Sequence, residues 1–132
     1  MKHIRGFNNL RFVIESGDKS SKIWMYVNNK KIGYSLVTIK DDIFDKWNIH
    51  DDVEVEMIEN EKSLYIIGIS MDDRRNGYGS KLVNHIEKFA IENGCSYITL
   101  SSITESIGFW KKVGYDVYSV SGYFSMYKKI TQ

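Results

Sequence analysis

The residues in this chain whose types and spacing could do chemistry are Arg74-Arg75-Asn76-Gly77-Tyr78-Gly79-Ser80. They stand between a strand-like apolar run, Leu64 to Met71, and a segment with helical periodicity, Leu82 to Asn93. A strand that turns through a glycine-rich loop into a helix leaves backbone N–H groups pointing outward at the positive end of the helix dipole, a socket for phosphate. Gly77 and Gly79, lacking Cβ, let the backbone take unusual conformations there and let a pyrophosphate approach it closely. Arg74 and Arg75 add fixed positive charge.

Spacing separates the phosphate-binding loops. A P-loop needs G-x-x-x-x-G-K-[ST], which is absent; a dinucleotide fingerprint needs G-x-G-x-x-G, but Gly77-Tyr78-Gly79 is followed by Leu82 where the third glycine belongs. The remaining pattern, Arg74-x-x-Gly77-x-Gly79, resembles the acyl-CoA pyrophosphate loop of the GNAT superfamily of N-acyltransferases. Downstream, Ser106-Ile107-Gly108-Phe109-Trp110-Lys111-Lys112-Val113-Gly114-Tyr115 is similar to that family's second signature, A-x-x-F-Y-x-K-x-G-F, and Tyr123 to Lys129 resembles its closing strand. The resemblance covers roughly Ile32 to Lys129.

The resemblance implies an α/β (α+β) fold: a central mixed, mostly antiparallel sheet splayed between the fourth and fifth strands and flanked by helices. It implies acetyl-CoA as acyl donor and no metal, with the donor held by Ile69, Ser70 and Met71 through backbone, by Arg74, Arg75, Asn76, Gly77, Tyr78, Gly79 and Ser80, and by Trp110. The expected reaction is transfer of acetyl to a primary amine of a small molecule or protein by direct attack. Acyl transfer needs a deprotonated amine, a stabilised oxyanion and a protonated leaving thiolate.

The family's side chains for these tasks do not carry over. The acid tyrosine of the second signature falls at Trp110, the cofactor-contacting asparagine at Ile103, and the base glutamate of the histone-acetylating branch at Ser63. Candidate replacements are Glu54, Glu56 and Glu61 as bases and Tyr65 or Tyr118 as acids. The departures keep open a second class of function, an acyl-CoA-binding module without turnover.

The elements that must position these groups follow from patterning. Leu10 to Ser16, Ile23 to Val27 and Lys31 to Ile39 read as strands, the last two joined at Asn28-Asn29-Lys30. Only the turn Gly17 to Ser21 separates the first two strands, where the resemblance expects two helices, so that pair is shortened or missing. Residues 41–62 read as an insertion, with Val53, Val55 and Met57 on one strand face and Glu54 and Glu56 on the other, and we expect it to build the acceptor wall in place of the helices.

Leu64 to Met71 is apolar on both faces and reads as a central strand. The next helix should bury Leu82, Val83, Ile86, Phe89 and Ala90, with His85 among surface charges. Ser102-Ile103-Thr104-Glu105 fits a capping box, followed by a stripe of Ile103, Ile107, Trp110 and Val113 that makes Trp110 core, with Gly114 as the helix stop. Tyr115 to Val120 and Tyr123 to Ile130 form a closing hairpin whose exposed edge leaves room for a homodimer.

At 132 residues the chain is read as one domain, 1–132. Eighteen basic against seventeen acidic residues argue against nucleic acid as a partner, a local patch aside. The single cysteine, Cys95, has no disulfide or metal partner and reads as a small buried hydrophobe. No apolar run is long enough to span a membrane, and a signal-peptide core is missing, so a cytoplasmic location is expected.

Overall fold

The computed structural model describes residues 9–40, 62–72 and 77–130. Expectations that fall on 41–61, namely Glu54, Glu56, Glu61 and the insertion's role, and those on Arg74, Arg75 and Asn76, lie outside the described residues. Within them, one seven-stranded sheet runs in the order β1-β2-β3-β4-β5-β7-β6. Its strands are β1 (Leu10–Ser16), β2 (Ser21–Val27), β3 (Lys30–Lys40), β4 (Ser63–Met71), β5 (Tyr97–Ser102), β6 (Asp116–Val120) and β7 (Phe124–Lys129). Two helices, α1 (Tyr78–Glu92) and α2 (Ile107–Lys112), complete it. Among the described residues no helix is long and apolar enough to cross a membrane.

β1, β2 and β3 form an antiparallel meander built by short turns. Gly17 N–H donates to Ser20 O at 2.8 Å, so β2 begins with no helix between it and β1. Asn28 and Asn29 both take positive φ, 52° and 68°, as the primed two-residue hairpin turn requires, and asparagine tolerates that region best after glycine. β4 joins β3 antiparallel and β5 parallel, and a parallel pair needs a crossover, which α1 supplies.

α1 turns Leu82, Val83, Ile86 and Ala90 into the core, where they meet Ile23, Met25, Leu64, Ile66, Ile98, Leu100 and Met126 of the sheet. Both helices end alike. Cys95 N–H reaches Ala90 O (2.9 Å) and Gly94 N–H reaches Ile91 O (3.0 Å); Tyr115 N–H reaches Trp110 O (2.9 Å) and Gly114 N–H reaches Lys111 O (3.1 Å). This is the Schellman pattern, with Gly94 and Gly114 at φ 81° and 103°. Cys95 is buried as expected, and burial raises its thiol pKa. At the far end of α1, Glu87 accepts from the Tyr115 hydroxyl (3.1 Å) and from Lys128 Nζ (3.2 and 3.1 Å), while Lys128 also donates to Val113 O (3.2 Å). Burial, reinforced by Glu87, pushes the Tyr115 phenol pKa strongly up, so it remains a donor.

Four local expectations are corrected. The capping box does not form: Ser102 ends β5, and its hydroxyl donates to Ile103 O at 2.9 Å. Ile103 is 60% exposed and leaves the apolar stripe, because the chain passes through a short 3-10 turn, Thr104–Ser106, before α2 starts. Gly79 is helical and only Gly77 of the loop pair takes positive φ. His85 is not a plain surface histidine: it stacks on Phe12 with ring centroids 4.0 Å apart and planes within 6°, and burial lowers its pKa, with Lys88 acting in the same direction.

β4 is also not apolar-buried along its whole length. In the ladder Val37 faces Ile66 and Leu36 faces Gly68, so Ile67 is an extra residue, a bulge that turns its side chain 48% exposed.

Candidate functional site

The parallel ladder between β4 and β5 has four levels, from Ser63 opposite Tyr97 to Ile66 opposite Leu100, and then stops. Among the described residues, β4 continues beyond it with Gly68 to Met71 paired to β3 alone, and β5 continues with Ser101 and Ser102 paired to β7 alone. The two strands part at the bulge. Ile69, Ser70 and Met71 therefore line one arm of a V whose backbone groups face across a gap, which a ligand's amides can satisfy.

Two details hold that arm. The Ser35 hydroxyl donates to Gly68 O at 2.9 Å, fixing the carbonyl at the bulge. Gly33 lies against the end of the arm: a Cβ there would stand 2.5 Å from Met71 Sδ and 2.7 Å from Ser70 O, so only glycine lets Met71 lie across β3.

In chain order the open arm of β4 is followed by the N-terminus of α1. Gly77 caps it in the left-handed conformation, φ 71° and ψ 14°, and no atom of the described residues lies within 4 Å of its Cβ position, so the backbone conformation is what calls for glycine. α1 has neither a side-chain cap nor an acidic residue in its first turn. The first hydrogen bond runs from Lys81 N–H to Gly77 O at 3.2 Å, leaving the positive end of the dipole uncompensated by this helix's own side chains. Gly79 sits in ordinary contact with Phe109, 3.4 Å from its Cβ position, which joins the start of α1 to α2. Tyr78 is buried in the core and anchors the first turn.

Trp110 is also core, 7% exposed and edge-on to Phe109 and Tyr115 at 5.1 and 5.3 Å. Tyr118 is buried at a register shift of β6 and meets Tyr127 edge-on at 5.9 Å. β7 stands between its strand and β5, about 10 Å of sheet at the usual strand spacing. Burial first, and Asp116 second, raise the Tyr127 pKa.

Tyr65 is placed differently. It alternates with Leu64 and Ile66, which enter the core beneath α1, and so stands on the opposite face. Its hydroxyl is 3.2 Å from Ser101 Oγ, across the last levels before the strands part, and Lys40 Nζ lies 4.5 Å over its ring. Tyr65 was one of nine tyrosines in the sequence; its contact with Ser101 depends on a register joining residues 36 positions apart. A hydroxyl pair at the base of a backbone cleft can carry a proton to or from a group held there.

Comparison with known proteins gives the same picture. The family model described as acetyltransferase (GNAT) family matches residues 5–115. No curated protein matches significantly. Among solved structures, a Bacillus subtilis acetyltransferase in complex with CoA superposes with a TM-score of 0.67 at 9% identity, covering 93% of this chain and 100% of that one. The PaiA N-acetyltransferase of Thermoplasma acidophilum in complex with coenzyme A gives 0.62 at 15% identity, over 84% of this chain and 61% of that one, so the chain spans under two thirds of its length. AtaTR bound with acetyl-CoA gives 0.63 at 12% identity, over 84% and 70%. At these identities the likenesses establish the fold.

Proposed function

The chain belongs to the GNAT acetyltransferase family, and from that premise we propose that it transfers an acetyl group from acetyl-CoA to an amine by direct attack in a ternary complex. The observation that carries the reading is the split of β4 from β5 after Ile66 and Leu100, together with a start of α1 that has no side-chain cap. In this reading the pyrophosphate lies on the N–H groups of the first turn from Gly77 to Ser80, with Arg74, Arg75 and Asn76 beside it. The pantetheine amides pair with the free edge of β4 from Gly68 to Met71, and a β4 N–H polarises the thioester carbonyl.

α1 covers one face of the sheet, so the amine enters from the other, where Tyr65 and Ser101 stand. The amine nitrogen attacks the carbonyl carbon, the oxyanion forms and collapses as the C–S bond breaks, the nitrogen gives up a proton to solvent and the thiolate takes one, so that the net transfer is one proton from nitrogen to sulfur. Tyr65 is the proposed proton donor, and Ser101 holds its hydroxyl. A thiol of pKa about 8.5 leaves with modest help, so positioning supplies much of the acceleration. Trp110, buried where the family resemblance puts the acid tyrosine, favours a second reading, an acyl-CoA-binding module without turnover.

Calorimetric titration of acetyl-CoA into the wild type and Arg74→Ala/Gly77→Val, followed by thiol release with a panel of amines, tests both. Binding lost in the variant supports the socket, and release with any amine selects the enzyme. Binding without release selects the module, and no wild-type binding sinks both.

A further inference from the structure

The sheet face opposite α1 carries a ladder of aromatic rings, each with a cation above it. Arg11 Cζ lies 4.2 Å over the Tyr26 ring, and Lys31 Nζ lies 4.0 Å over Trp24. Lys22 Nζ is 4.8 Å from both Trp24 and Tyr34, whose rings are 5.1 Å apart. Strand alternation puts these residues on one face, because Ile23, Met25 and Val27 between them fill the core. The rings are half-buried, with their faces turned towards the cations, and Arg11 and Lys31 are exposed. Glu15 brings a carboxylate to this face among the described residues, and it accepts from Trp24 Nε1 at 3.2 Å.

The ladder leads to the candidate site. Tyr34 is the register partner of Ser70 on the open arm of β4, and Lys40 over Tyr65 continues the same pattern beside the split. The chain's overall charge of +1 conceals this local excess.

We propose that this face binds a single-stranded polynucleotide. Phosphates take the ammonium and guanidinium groups, and bases stack on Trp24, Tyr26 and Tyr34 in the places those cations occupy now. An acidic peptide would answer the charge equally well but would gain nothing from the rings, which is why a nucleic acid fits better. From β1 to β3 the face spans about 10 Å, the small end of such platforms, which hold about 4 nucleotides. The proposal concerns binding alone and stands whether or not acetyl transfer does.

The test is fluorescence anisotropy of a labelled single-stranded RNA of about 12 nucleotides with the full chain, at about 50 to 200 mM salt. Expected are binding with a log–log salt slope of about −2, as three cations give on a single strand, and quenching of tryptophan fluorescence that Trp24→Phe removes. Lys22→Glu/Lys31→Glu should weaken binding at least about tenfold while circular dichroism and the acetyl-CoA titration stay as in the wild type. No binding at the lowest salt, or equal binding by the charge-reversed variant, overturns the proposal. Equal competition by a polyglutamate peptide overturns it in favour of an acidic protein partner. Failure of the acetyl-CoA titration with RNA binding intact would strike only the transferase reading.

Discussion

Tyr65 and Gly77 do different kinds of work, and each can be isolated by one substitution. Tyr65→Phe removes only a hydroxyl, so acetyl-CoA affinity should stay unchanged. If Tyr65 protonates the thiolate, thiol release should fall by about 10²-fold, the lower end of what a positioned acid contributes. A fall in affinity with unchanged turnover would place Tyr65 in binding and end its role as acid. Gly77→Val forces a β-branched residue into φ 71°, costing about 1–2 kcal/mol, although no atom of the described residues lies within 4 Å of the new Cβ. Urea denaturation should show that loss, and calorimetry should show weaker acetyl-CoA binding as the first turn shifts. The Gly77 loop was legible in the sequence because its chemistry is local: two glycines, two arginines and a helix start. The Tyr65–Ser101 pair was not, because it exists only once β4 and β5 are paired in register.

At the scale of elements, turns and helix ends were the most legible features, since Asn28-Asn29, Gly94 and Gly114 each fix the backbone by their own stereochemistry. Gly114→Ala tests this: at φ 103° the methyl is strained and meets Lys128 Cε at 3.2 Å. It should lower stability by about 1–2 kcal/mol in urea denaturation, disturbing the Glu87–Lys128–Tyr115 network with it. The capping box failed as a reading because Ser102 was drawn into β5, where pairing with Phe124 outweighs a local cap. The β4 bulge was invisible for the same reason that it matters: eight apolar-looking residues do not say which one the partner strand skips.

His85 was misread because its neighbours along α1 are charged, whereas its contact is Phe12 on β1. With its folded pKa lowered below the ordinary 6.5, the unfolded chain binds the proton more readily. Its contribution is fully present above about pH 6.5 and is lost as pH falls through the folded value. The urea midpoint should therefore drop between pH 7 and pH 5 more in the wild type than in His85→Phe; equal drops would assign the acid sensitivity elsewhere.

The whole molecule is two half-sheets, β1–β4 and β5–β7, joined by four parallel levels and by the crossover of α1. The half nearer β1 carries the open arm Gly68–Met71, and the other carries Ser101 and Ser102. A ligand seated in the V as proposed would touch both halves and the start of the helix that links them, and its binding energy would then bridge the gap that the missing ladder leaves. At a hundredfold excess over its dissociation constant, acetyl-CoA should stabilise the fold by about 2.7 kcal/mol, seen as a raised unfolding temperature. The location of that stabilisation is the stricter test. Amide hydrogen exchange should slow in Gly68–Met71, whose β5-facing edge has no strand partner among the described residues, and in the first turn of α1, while β1 and β6 at the outer edges stay unchanged. Protection spread evenly over all seven strands would mean that the ligand stabilises the fold without bridging its halves, and the split would then lose its place as the donor site.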